Sequence, residues 1–177
     1  MSKKKSWVVS IVMFLVFLTH GSLVYSASHE IMTKPLKGLT AISVLVEKLN
    51  ADIKDKTGLT EKQIETDVEL KLRMAGIKVV SLGESLNIPG MPYLYVNLSI
   101  FRHSSGLFFA YSIYIALIEN VYLERNSAIN VSAQTWFKGE IGVIGESQVS
   151  SIRNNIIKDT VDIFINDYLS ANPKGGK

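Results

Sequence analysis

The chain has 177 residues, no cysteine, 47% hydrophobic, 9% aromatic and 20% charged residues. That suits one ordinary domain, is too apolar for a disordered chain, and excludes disulfide scaffolds, Cys-ligated metal centres, thiol nucleophiles and cysteine lipid anchors. The formal charge of +3 is carried by Lys3, Lys4 and Lys5; without them 16 basic residues balance 16 acidic ones, so nucleic acid is not an expected partner.

Lys3-Lys4-Lys5 opens a positive segment, Trp7 to Leu18 is apolar except for Ser10, and small residues follow in Val24-Tyr25-Ser26-Ala27-Ser28. This order predicts a cleavable secretory signal peptide over 1–27, with the mature chain beginning between Ala27 and His29. An uncleaved anchor is the competing reading. It is disfavoured because Thr19-His20-Gly21-Ser22 interrupts a run that would need about 20 apolar residues to span a bilayer. The expected location is therefore the periplasm or the medium, with no stable membrane span after cleavage.

Residues 28–40 hold Pro35 and Gly38 without periodicity and read as a lead-in linker to a single domain over 41–172. Ala41 to Val46 is a β-branched run and a strand candidate. Thr60 with Gln63 forms a capping box, and Leu59 with Ile64 a hydrophobic staple, opening a helix over 60–75 that Gly76 ends. Ile77 to Ser81 is read as a second strand, and Pro89-Gly90 and Pro92 as a turn. From Tyr93 to Ile100 the chain alternates, and after Ser104-Ser105-Gly106 it alternates again from Leu107 to Leu123. That length predicts a bulge or bend near Ile118–Asn120. Asn130 to Lys138 alternates once more. A closing helix over 147–170 carries Val149, Ile152, Ile156, Val161, Phe164 and Tyr168 on one stripe, and 173–177 reads as a frayed tail.

The predicted fold is α+β: a two-layer sandwich in the order β-α-β-β-β-β-α, its sheet mixed and both helices on one face. Leu94, Val96, Leu98, Ile113, Ile115, Leu117, Val131, Ala133 and Phe137 are assigned to the helix side. Tyr95, Asn97, Ser99, Ser112, Tyr114, Ser132, Gln134 and Trp136 then fall on the open side. Tyr95, Tyr114 and Trp136 are the candidate binding residues, because tyrosine and tryptophan among small polar neighbours mark interaction surfaces.

Catalytic chemistry finds little footing. His103 stands beside a hairpin turn without a neighbouring acid motif, and no G-x-S-x-G elbow is present. Gly139-x-x-Gly142-x-x-Gly145 lacks the residues of a Walker or dinucleotide loop and reads as a flexible connection. The stripe Glu61, Glu65 and Glu69 reads as a solvated helix face. No cofactor, metal site or catalytic residue is expected.

The blocks Arg73 to Val79, Pro92 to Asn97, Thr135 to Gly139 and Phe164 to Pro173 resemble those of a family of exported bacterial proteins without an assigned activity. More distantly, the element order is similar to the amino-terminal domain of TolB and to curli-type secretion lipoproteins. That likeness implies protein–protein work in the envelope, although the anchoring cysteine of the lipoproteins is missing. The leading expectation is a non-catalytic periplasmic or secreted interaction domain, its partner an envelope protein or a second copy bound through the open face. The alternatives are a carrier of a small apolar or lipid-like ligand between sheet and helices, near Phe109, Ile113 and Phe164, and a hydrolase using His103.

Overall fold

The computed structural model describes residues 32–50, 54 and 58–173. The signal-like segment lies outside the described residues, as does the tail from 174 on. The fold is α+β. A 3₁₀ turn at Lys34–Leu36 leads to β1 (Ser43–Val46), α1 (Glu61–Met74), the short α2 (Leu82–Ser85), β2 (Tyr93–Arg102), β3 (Phe108–Leu123) and β4 (Asn126–Gly145). An α-helical turn at Val149–Ser151 and a π-helical stretch, Ile152–Ile157, then run into α3 (Lys158–Ala171). The sheet is mixed, in the order β1-β2-β3-β4, with β1 parallel to β2 and the other neighbours antiparallel.

The start and stop of α1 follow from its sequence. Thr60 Oγ1 accepts the Gln63 N–H at 3.2 Å while the Gln63 side chain accepts the Thr60 N–H at 3.1 Å. Leu59 and Ile64 are both buried beside this box. At the far end Gly76 takes a φ of +83°, which lets Ile77 N–H reach the Leu72 carbonyl at 3.0 Å and Gly76 N–H the Arg73 carbonyl at 2.9 Å. These are the paired bonds of a Schellman stop. Thr60→Ala should lower stability by about 0.5–2 kcal/mol through the lost cap. An unchanged denaturant midpoint would show that the cap contributes nothing.

The expected strand at Ile77 to Ser81 shrinks to one parallel bridge between Ile42 and Val79. The reason is a second capping box. Ser81 Oγ accepts the Glu84 N–H at 3.2 Å and the Glu84 carboxylate accepts the Ser81 N–H at 2.8 Å, so the chain turns into α2 instead of extending. The element order is therefore β-α-α-β-β-β-α.

The segment expected as a linker is docked where it is described. Leu36 is fully buried, the Asn172 side-chain amide donates to the Leu36 carbonyl at 2.8 Å, and the Asn172 Oδ1 accepts the Gly38 N–H at 2.8 Å.

Alternation in β2 and β3 puts Leu94, Val96, Leu98 and Ile100 beside Phe109, Tyr111, Ile113, Ile115 and Leu117 on one face. These residues share a core cluster with Ile64, Val68 and Leu72 of α1 and Val161, Phe164 and Ile165 of α3. Arg153 ties the closing helical run to α1 through a two-pronged bond to Asp67, at 2.8 Å and 3.1 Å. The guanidinium holds the Asp67 carboxyl below its ordinary range.

β4 departs from expectation twice. It continues through the glycine-spaced segment to Gly145, where a flexible connection was expected. It also carries one extra residue: Leu117 pairs with Trp136 but Ile118 with Gln134, so Thr135 has no partner across the ladder. The irregularity falls where β3 suggested it, but the extra residue belongs to the neighbouring strand.

Candidate functional site

One extra residue reverses the side on which every later side chain emerges. Trp136 therefore lies in the core and not on the open face, only 1% exposed. Its indole N–H donates to Asp167 of α3 at 2.8 Å and its rings meet Phe164 edge-on at 5.0 Å between centroids. Phe137, assigned to the helix side, stands on the open face instead and stacks on Tyr114 at 6.1 Å. Of the three candidate binding residues, Tyr95 and Tyr114 keep their place and Trp136 does not.

The pairing register lays the open face out in rows across β2, β3 and β4. Tyr95, Ala116 and Phe137 form one row, and Asn97, Tyr114 and Gly139 the next. Ser99, Ser112 and Ile141 follow, then Phe101, Ala110 and Val143.

The middle of the face is polar and internally bonded. Tyr95 donates its hydroxyl proton to Glu47 at 2.7 Å, Asn97 donates to the Tyr95 oxygen at 3.2 Å, and Tyr114 donates to Gln134. Partial burial, with the Glu47 carboxylate beside it, raises the Tyr95 phenol above its ordinary range. A phenol so held stays a neutral donor and is not a base.

The end of the face beyond Ser99 is apolar and open to solvent. Phe101 is 66% exposed, Phe108 52%, Ile141 83% and Val143 70%. A groove of about 610 Å³ runs there, lined by Phe101, Arg102, His103, Phe108, Ala110 and Val143. Isolated exposed apolar residues are ordinary, whereas contiguous rows of them mark interaction surfaces. This end lies beyond Ile100, where the expected alternation ends, and within Gly139 to Gly145, whose glycine spacing reads as a connection in the sequence. Ile141-Gly142-Val143-Ile144, rich in β-branched residues, was the available signal.

Gly142 of β4 has a packing reason. Tyr111, directly across from Gly142, lies over it so closely that a Cβ there would meet the ring and hydroxyl at 2.5–2.6 Å. The Tyr111 hydroxyl donates to Glu140 at 2.6 Å, and that carboxylate, with burial, pushes the phenol up to about 12.

His103 is exposed in the β2–β3 turn. Its Nδ1 lies 2.9 Å from Ser105 Oγ and accepts the Ser105 N–H at 3.2 Å, a local turn arrangement. Glu61 accepts the Leu49 N–H at 2.9 Å and pairs with Lys54 at 2.6 Å. Lys54, its own backbone N–H and the Leu49 N–H hold its carboxyl down to about 2. That glutamate ties a loop to a helix, while Glu65 and Glu69 pair with Lys62 and Arg73 on the surface. Among the described residues no three His, Cys, Asp or Glu side chains converge to hold a metal. Phe109, Ile113 and Phe164, which a carrier would set around a ligand, belong to the core cluster and are at most 5% exposed.

No protein family matches this chain, and no curated protein matches it.

Proposed function

We propose that the protein is a non-catalytic interaction domain of the bacterial envelope, exported by a cleavable signal peptide and working in the periplasm or outside the cell. It engages a partner protein through the apolar end of the open sheet face. The observation that carries this reading is the run of exposed Phe101, Phe108, Ile141 and Val143 beside a polar, internally satisfied half. A partner of matching chemistry presents aromatic and aliphatic side chains to the groove and keeps its polar groups at the rim.

Capture from envelope extracts tests the proposal, comparing the native protein with a Phe101→Asp/Phe108→Asp variant. Both side chains are exposed, so each change should alter stability by no more than about 0.5 kcal/mol. The expected result is loss of a specific captured envelope protein with an unchanged unfolding midpoint. An identical set of captured proteins would overturn the surface. Recovery of the chain from the cytosol with Met1–Leu18 intact would overturn the compartment.

A further inference from the structure

β4 is the last strand of the sheet, and among the described residues no strand pairs with its outer edge. It is also long: Asn126–Gly145. α3 covers it at Trp136, through Phe164 and Asp167, and beyond that point residues 137–141 and Val143 are exposed. A long, exposed, apolar edge is a template for pairing with another chain. Natural edges are usually blunted by proline or inward-pointing charge. This one has no proline; its protection is a bulge at Thr135 and two helix-side charges, Lys138 and Glu140, which flank a glycine and leave the edge open to a strand whose charges answer them.

We infer that the outer edge of β4 pairs antiparallel with β4 of a second copy, about a two-fold axis through Gly139, joining two sheets into one. The charges choose the register. With the axis at Gly139, Lys138 of each copy stands opposite Glu140 of the other, giving two opposite-charge pairs by symmetry. Moving the axis to residue 138 sets lysine against lysine, and moving it to residue 140 sets glutamate against glutamate. Like charges directly opposite are destabilising, so both neighbouring registers are penalised while the central one is favoured.

The remaining positions agree with that choice. On the open face Phe137 meets Ile141 of the other copy, an aromatic and β-branched pair of the kind that stabilises sheets. On the helix side Trp136, which α3 covers, meets Gly142, which has no side chain to obstruct the approach. Gly139 at the axis lets the two backbones come close. The contact is isologous, so it closes at two copies and does not propagate into a fibre.

This inference does not rest on the proposed function. The two surfaces share Ile141 on β4, but Phe101 and Phe108 lie on β2 and β3, away from the edge, and the Phe101→Asp/Phe108→Asp protein should remain dimeric. Failure of either idea leaves the other standing.

Sedimentation velocity on protein produced from the full chain provides the test, with Lys138→Glu, Glu140→Lys and the double variant. The native protein should be a dimer. Each single variant opposes like charges and should dissociate at least about tenfold more readily. The double variant, and an equimolar mixture of the two single variants, restore opposite charges and should recover the dimer. A monomeric native protein at every concentration would overturn the inference. So would single variants that dimerise like the native protein, or a mixture of folded single variants that stays monomeric.

Discussion

Trp136→Ala is expected to destabilise the fold by about 3–5 kcal/mol, a large share of the stability of a single domain. The indole is 1% exposed and is gripped from two sides by α3, through the edge of Phe164 and the carboxylate of Asp167. Truncation leaves a cavity at the place where helix and sheet meet. It also removes a donor from a carboxylate that is itself 9% exposed. Trp136→Phe largely separates the two contributions, since most of the packing stays while the donor goes. That variant should lose about 1–3 kcal/mol. Denaturant unfolding measures both changes as shifts of the midpoint, and a midpoint for Trp136→Ala within error of the native one would refute the burial.

Gly142→Ala is expected to cost about 1–2 kcal/mol. A methyl group there enters the ring of Tyr111, which is 7% exposed and bonded through its hydroxyl to Glu140, so the ring must shift within a packed site. Overpacking of this kind costs about 1–3 kcal/mol, of which the reduced freedom of the unfolded chain returns part. The same change at Gly139 meets only the side of the Tyr114 ring at 3.4 Å and the Ile113 carbonyl at 3.6 Å, and should be nearly neutral for stability. A double-mutant cycle identifies the cause. In a Tyr111→Ala background, Gly142→Ala should cease to destabilise, and an undiminished cost would show that the ring is not what the methyl group meets.

Most of the architecture was legible because it rests on local chemistry. The box at Thr60 and Gln63, the glycine stop at Gly76 and the alternation of Tyr93 to Ile100 each have a physical meaning within a few residues, and each stands in the structure. What was misread depends on contacts distant in sequence. Gly139 and Gly142 look like part of a connection until Tyr114 and Tyr111 of β3 are set across from them. The extra residue at Thr135 leaves no mark in the alternation itself, because a bulge shifts the parity without changing composition. Phe137 and Trp136 consequently exchanged faces, and the candidate site moved with them. The expected strand after Gly76 was a different kind of error. Ser81 and Glu84 carry the same box as Thr60 and Gln63, and that signal outweighed the β-branched run before it.

The side chain of Asn172 holds both Leu36 and Gly38, joining residues 136 and 134 positions apart in sequence. A ribosome delivers Leu36 and Gly38 long before Asn172. The α1 cap and the β2–β3 hairpin can form from neighbouring residues as they emerge, but Leu36 has no carboxamide to close over it until α3 has been made. Contacts of such separation are slow to find, because the entropy of closing the loop is lost before the contact is made. A chain stopped short of Asn172 thus lacks the clasp altogether, and completion of the domain waits on the end of its last helix.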